Sequence, residues 1–470
     1  MMLSSLFVFS AGRALLALLA AVLSCGVAVY GRGYFEGGTE RRFFLFCSAC
    51  FLISVWGTLF SAEWLMFLVF MEISTVALFA LIAPKEPGVA LGYLAVQLAG
   101  AALFLAGIGA VEAGHGSAFV GPVSKDALPF FIFGLGVKAA LPVLHFWLPE
   151  VHGRAPAPVS AMLSGISVKI GAFGLLEALG VDNSAFMAPV GAVMALWGVL
   201  FALAQHDMKR LLAYHTVSQL GYIVAAIGAG SPAGRNGALY HMAAHGLFKG
   251  MLFLCAGVLE KVYGTRELNR LGGAARTLSL TFAFFLVSAA AIAGLPGTAG
   301  FASKIMVKSA LGAHPFVAIA LLVANIGTVM SFCKMGWFAF GGEEKSVPRP
   351  LPGIRAVNAG MLPLAAPLVL FGIFPEWIPA LLGAEGPVFF SFAKCGESLL
   401  ALLCGGSLFL LFKKKFAKGE KIAPDANILA AKANAAVGEM IAFVRRLQGG
   451  NLREYLLATV VSILLLLLLM

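Results

Sequence analysis

The sequence predicts an all-α polytopic membrane protein of about fourteen transmembrane helices, containing two five-helix repeats with one discontinuous helix in each. Three observations carry that prediction. Apolar windows of roughly 18–25 residues, the length that spans a bilayer, recur along nearly the whole chain. Hydrophobic residues make up 60% of the chain and charged residues only 12%, where a soluble domain averages about 25% charged; mean hydropathy is +0.93. The fifth and tenth windows are each interrupted by proline and glycine, an offset of five.

The windows lie at 11–30, 43–61, 63–83, 89–112, 127–148, 157–178, 186–205, 209–229, 236–260, 275–312, 315–340, 356–374, 389–412 and 454–470. The first one holds Val22-Leu23-Ser24-Cys25, which looks like a lipoprotein cleavage site. The apolar run continues past Cys25, so it is read as a retained first helix. The window at 275–312 is long for one span, which fits a helix broken at Pro296. Pro142, Pro149 and Pro296 each remove a backbone donor and are expected to kink their helices.

The net charge of +11 sits in alternate loops. Odd-numbered loops carry Arg41, Arg42, Lys85, Arg154, Lys209, Arg210, Lys261 and Arg266, and the long loop before the last window adds Lys413, Lys414 and Lys415. Even-numbered loops hold little beyond Lys125 and Arg235. By the positive-inside rule the odd loops are cytoplasmic and both termini lie outside a cytoplasmic (inner) membrane. The basic surplus sets topology and gives no reason to expect nucleic acid. Cys47 and Cys50 form a Cys-x-x-Cys within an apolar window, with no second pair or histidine beside it, and are read as small core residues. The chain carries no iron–sulfur, haem, nucleotide or P-loop motif, so the energy that drives it must come from elsewhere.

Charges inside the windows point to function. Lys138 lies in Val137-Lys138-Ala139-Ala140-Leu141-Pro142, and Lys304 follows Gly294-Leu295-Pro296-Gly297-Thr298. Glu72 and Lys169 sit mid-window. A charge at bilayer depth costs about 3 kcal/mol on insertion scales and marks a functional site by default. A broken helix at that depth is tolerated only inside protein or beside water. Lysine plus break, twice, reads as an ion path. Two alternatives stay open: a structural Glu72–Lys138 salt bridge, and lysines snorkelling to the interface, which suits Lys308 and Lys334 but not Lys138 or Lys169. Burial works against a charged lysine and a neighbouring carboxylate favours it. A change in the distance between Glu72 and Lys138 would therefore trigger proton transfer.

His241, His245 and Lys249 are spaced i, i+4, i+8. Each step drifts only about 40° around a helix, so the three share one stripe. A zinc site needs more ligands than this pair of histidines. A titratable stripe along a buried polar axis fits the pattern, because histidine changes charge between about pH 5 and 8; two histidines hydrogen-bonded in a helix interface remain the alternative.

These residues resemble the antiporter-like subunits of respiratory complex I, membrane-bound hydrogenases and multi-subunit sodium/proton antiporters. Three stretches carry the likeness. The first runs from Val137 to Gly174 and includes His145-Phe146-Trp147-Leu148-Pro149 and His152. The second is Asp207-Met208-Lys209-Arg210-Leu211-Leu212-Ala213-Tyr214 with Val217-Ser218-Gln219-Leu220-Gly221-Tyr222. The third runs from His241 to Lys249 and on to Gly294 through Lys304. The resemblance implies two inverted repeats along a polar axis. Glu72 looks like the modulating glutamate, Lys138 the central lysine and Lys169 the connecting lysine. His241, His245 and Lys249 look like the axis of the second half-channel, and Lys304 the terminal lysine. The sequence departs from the family pattern at Gln219, where a histidine is usual, and about two N-terminal helices of the larger relatives are expected to be absent.

The implied organisation is N-terminal helices (1–62), a first half-channel (63–205), a second (206–345), C-terminal helices (346–412), and a connector with a final anchoring helix (413–470). The connector, roughly 424–448, is expected to lie on the membrane surface, to brace a neighbour, or to be a plain linker. The implied activity is proton translocation within a redox-driven complex. Protons, and in some relatives sodium, would be the transported ions, with other membrane subunits and a peripheral redox arm as partners. No cofactor or metal is expected in this chain, and iron–sulfur clusters are expected in the partner subunits. A subunit of a gradient-driven sodium/proton antiporter and a structural membrane subunit are the alternative functions.

Overall fold

The computed structural model describes residues 6–115, 118–181, 184–419 and 439, and every statement below concerns these. The N-terminal pair is α1 (Ala11–Tyr34) and α2 (Gly38–Phe60). Helix α1 runs straight through Cys25, as its uninterrupted apolar sequence requires.

The same order of elements then occurs twice. The first series is α3 (Trp64–Ile82), α4 (Pro87–His115), the broken pair α5 (Leu128–Lys138) and α6 (Trp147–Arg154), then α7 (Ala157–Met162), which passes through a π-helical turn at Leu163–Ser167 into α8 (Val168–Leu179), and α9 (Met187–Ala204). The second is α10 (Met208–Ile227), α11 (Pro232–Tyr263), a short α12 (Ala274–Thr277), the broken pair α13 (Ser279–Ala293) and α14 (Ala299–Ala310), then α15 (Pro315–Phe340) and α16 (Ile354–Ile373). A short α17 (Trp377–Leu381) leads to α18 (Phe392–Ala417).

Local sequence sets the ends of these helices. Proline opens α5, α11 and α15, where its missing N–H costs nothing. Side-chain oxygens cap the starts of α1 (Ser10), α10 (Asp207), α11 (Ser231) and α14 (Thr298), each satisfying an N–H that the helix cannot. Pro149 was expected to kink a helix; it falls in the first turn of α6 instead and helps to start it.

Ten of the described helices are long and apolar enough to cross a membrane, where the sequence predicts about fourteen. The shortfall has physical causes. Two windows are divided at their breaks, α10 is too polar, and the window at 454–470 lies outside the described residues, as does the connector at 424–448 apart from residue 439. Burial grades the bundle from centre to edge. The apolar window of α11 is 100% buried, whereas that of α18 is 17% buried. A helix enclosed on all sides tolerates polar side chains only where other helices answer them, and α11 carries His241, His245 and Lys249.

Candidate functional site

The first break follows from its sequence. Helix α5 ends at Lys138, and the chain then turns through Ala140 and Val143, both at positive φ (53° and 70°). A β-branched valine is strained there, and Pro142 between them prevents a return to helix. Trp147 Nε1 spans the gap and donates to the Val137 carbonyl at 3.0 Å. Lys138 therefore sits at the negative end of a half-helix. Its side chain is buried, and Nζ donates to Thr75 Oγ1 on α3.

Glu72 lies one turn before Thr75 on the same helix. It is the acidic group that acts electrostatically on Lys138, yet the two form no salt bridge among the described residues, and the Thr75 hydroxyl neighbours the carboxylate as well as the lysine. The structural salt bridge considered from sequence is thus open in this conformation, with Thr75 holding the lysine.

The π-helical turn sets the next step. A π-turn leaves a carbonyl outside the regular helical pattern, and Lys169 Nζ donates to the carbonyl of Ser164. The turn lies against α11 at Gly165 and Gly246: a Cβ on Gly246 would meet the Gly165 carbonyl oxygen at 2.7 Å. From the same turn Ser164 Oγ lies 2.8 Å from Thr216 Oγ1 on α10. Thr216 Oγ1 donates to the Leu212 carbonyl at 3.1 Å, and Lys249 Nζ donates to that same carbonyl. A line of polar contacts, passing through Ser164 from its carbonyl to its hydroxyl and ending on the shared Leu212 carbonyl, therefore brings Lys169 of the first series into connection with Lys249 of the second.

Along α11, His241 and His245 present parallel rings with centroids 6.2 Å apart. His241 Nδ1 and Ser303 Oγ on α14 share a hydrogen bond of 3.0 Å, with roles set by the tautomer. Neither ring nitrogen of His245 has a partner among the described residues; Lys169 and Lys249 are among the cations acting on it.

The second break repeats the first with different residues. Helix α13 ends at Gly294 (φ 80°), a left-handed conformation that suits glycine, and Thr298 restarts the chain as α14. Lys304 Nζ donates to the Ile292 carbonyl at 2.5 Å and to Asn325 Oδ1 at 2.6 Å, while Asn325 Nδ2 donates to the Ala293 carbonyl at 3.1 Å. Lys304 thus holds the end of a half-helix, as Lys138 sits at the end of another. Unlike Lys138 it is only half-buried, and it borders a cavity of about 340 Å³ that reaches Lys308 and Glu397. These two pair with each other near the surface.

Several polar residues of the site were not singled out from sequence. Thr75 and Asn325 hold Lys138 and Lys304, and Ser164 and Thr216 bridge the two series. His215 stands one turn before Gln219 on α10; both are fully buried, and no polar side-chain atom of either has a partner among the described residues. Their i, i+4 spacing was the available signal. His152 is also buried, stacked on Phe253 with centroids 4.5 Å apart. Lys209, read as a loop cation, is buried and donates to the Ala155 carbonyl (2.6 Å) and to Glu260 (3.2 Å). Lys334, read as snorkelling, is 1% exposed. The cysteines are free. No group of three or more metal-ligating side chains occurs among the described residues.

The family described as NADH:quinone oxidoreductase/Mrp antiporter, TM matches residues 61–331. The chain belongs to this family. All seven residues singled out from sequence lie within the matched region. Among its relatives is NADH-quinone oxidoreductase subunit N of Desulforudis audaxviator, 34% identical over 403 residues, covering 77% of this chain and 79% of that one. Hydrogenase-4 component B of Escherichia coli is 35% identical over 283 residues, covering 52% of this chain; the match spans 42% of that longer protein. In fold, the chain is similar to a chain of the Mrp complex from Dietzia sp. (TM-score 0.77, 24% identity), with 98% of this chain and 55% of that chain covered. The antiporter-family fold accounts for the two series with one broken helix in each.

Proposed function

We propose that the chain translocates protons as an antiporter-like membrane subunit of a redox-driven complex of the complex I or membrane-bound hydrogenase kind. The proton path runs from Glu72 and Lys138 through Lys169, His245, Lys249 and His241 to Lys304. The contact line from Lys169 through Ser164, Thr216 and the Leu212 carbonyl to Lys249 carries this reading. It spans the junction of residues 63–205 and 206–345, the two half-channels, where a proton path would otherwise be interrupted.

The working step is a change of partner at Lys138. Thr75 offers a neutral oxygen; Glu72, one turn away, offers a charge. Bringing a carboxylate to about 4 Å from an ammonium is worth roughly 4 kcal/mol at an effective dielectric constant of about 20. That is close to a thousandfold change in the balance between charged and neutral lysine. Swinging Glu72 in and out would thus load and unload Lys138. Lys169 and Lys249, held by backbone carbonyls, would receive the displaced proton, with His245 between them. Lys304 would release it into the cavity beside Lys308 and Glu397.

Iron–sulfur clusters and the electron path belong in partner subunits on this reading, and the chain sits in the cytoplasmic membrane with its termini outside. The test is mild-detergent purification from native membranes, followed by mass spectrometry. Co-purifying iron–sulfur subunits support the redox-driven complex. Only small membrane subunits, with sodium-dependent proton movement in vesicles lacking an electron donor, would replace it with a gradient-driven sodium/proton antiporter.

A further inference from the structure

Lys334 is a buried cation that the path above does not use. Its Nζ donates to the carbonyls of Leu203 (2.9 Å) and Gln205 (2.6 Å) at the end of α9, and Phe416 of α18 covers it at 4.5 Å. The last carbonyls of a helix lack intrahelical partners and attract cations. The chain leaves α9 here through His206 and Asp207, both half-buried. Lys334 therefore stands just beneath the surface, at the end of the bundle that carries the Asp207–Arg266 ion pair.

Inward from Lys334 lie several buried polar side chains. Ser331 Oγ on the same helix is buried without a partner, as are both ring nitrogens of His215 and both amide atoms of Gln219. His215 packs against Phe332 with ring centroids 5.0 Å apart. On the His215 helix, the Leu212 carbonyl one turn before it accepts from Lys249 Nζ, and Lys304 Nζ lies 5.1 Å over the Tyr222 ring two turns after it. Buried polar atoms without protein partners are, as a rule, hydrated. A histidine that sees two lysines of the axis and one outside it is placed to exchange protons among them.

We propose that Lys334 and His215 form a second proton entry, joining the α9–α10 end of the bundle to the axis at Lys249 and Lys304. This rests on the axis carrying protons. The Lys334 ammonium gives a proton, through water, to one ring nitrogen of His215. The imidazolium then releases the proton of its other ring nitrogen toward Lys249 or Lys304 and becomes neutral again. Neutral Lys334 is recharged from solvent at the Gln205–Asp207 turn. The axis then needs both Lys138 and Lys334 to be loaded in each turnover.

A purely structural Lys334 would only cap α9, and arginine separates the two roles. It keeps the cation and the donors but does not give up its proton. The experiment uses inside-out native vesicles carrying the whole complex, energised by its own electron donor, with a pH-sensitive dye reporting proton uptake per electron. Lys334→Arg and His215→Gln are each expected to lower that ratio about tenfold, with unchanged amounts of assembled complex on a native gel. Wild-type uptake by Lys334→Arg would overturn the proposal and leave the lysine as a cap. His215→Gln checks it independently if the arginine variant fails to assemble, and wild-type uptake there overturns it equally. Lys138→Ala is run alongside. If it pumps normally, the axis reading has failed; if it is inactive while Lys334→Arg and His215→Gln are normal, only the second entry has.

Discussion

Ser164 Oγ and Thr216 Oγ1 lie 2.8 Å apart, in the contact that carries the polar line from the first repeat into the second. Thr216→Val keeps the shape and removes the hydroxyl. It leaves Ser164 Oγ short of a buried partner, at a cost of about 1–3 kcal/mol. Proton uptake per electron is expected to fall about tenfold or more, and Thr216→Ser to restore it. Normal uptake in the valine variant would show that protons cross between the repeats elsewhere.

Lys138 and Glu72 act as one switch in the proposed path. Lys138→Ala and Glu72→Ala are each expected to abolish or sharply lower pumping, with membrane insertion intact. Glu72→Gln keeps the shape without the charge and should behave like Glu72→Ala. Vesicle pumping assays, normalised to the protein inserted, decide this; undiminished pumping in any one of the three removes the switch.

Asn325 organises the second break by accepting from Lys304 and donating to the Ala293 carbonyl. Asn325→Leu takes away both bonds. The purified complex should lose about 1–3 kcal/mol of local stability, seen as a lower melting temperature, and proton release should slow. Asn325→Asp keeps an acceptor and places a carboxylate beside Lys304. It is expected to hold the lysine charged and to block release without the same loss of stability.

Gly246 allows α11 to approach the π-helical turn. Any Cβ there would meet the Gly165 carbonyl oxygen at 2.7 Å and the Leu19 side chain at 2.8 Å. Gly246→Ala should cost about 1–3 kcal/mol through forced backbone shifts, and Gly246→Leu should prevent assembly. The amount of complex recovered from membranes measures both. Normal recovery of Gly246→Leu would mean that the turn and α11 are free to separate.

The breaks were legible in the sequence because a proline close to glycine inside a membrane-length window takes away a backbone donor and interrupts the helix. Lys138, Lys169 and Lys304 were legible because a lysine inside an apolar window is costly. The stripe of His241, His245 and Lys249 followed from helical spacing alone. Contacts between distant helices were less legible. Nothing in the sequence said that Thr75, and not Glu72, would hold Lys138. The π-helical turn at Leu163–Ser167 has no composition that marks it, so the link from Lys169 to Ser164 was hidden. Lys334 was misread because distance from a helix end says how far a side chain could reach toward water, not whether another helix closes over it. Phe416 does so here, and it lies more than seventy positions away in the chain. Lys209 misled for the same reason: basic residues near a loop look solvated until a partner such as Glu260 is seen beside them.

The half-helix ends have a mechanical consequence. Lys304 clasps the last turn of α13 through the Ile292 carbonyl and, through Asn325, the Ala293 carbonyl. A charge-assisted hydrogen bond is about twice as strong as a neutral one. In the proposed path, each proton that leaves Lys304 would therefore also loosen the clasp on a piece of backbone, and each that returns would tighten it. Discharge and slackening would then be a single event, and the bundle a transducer in which stored charge and the tension on a hinge are exchanged one for the other.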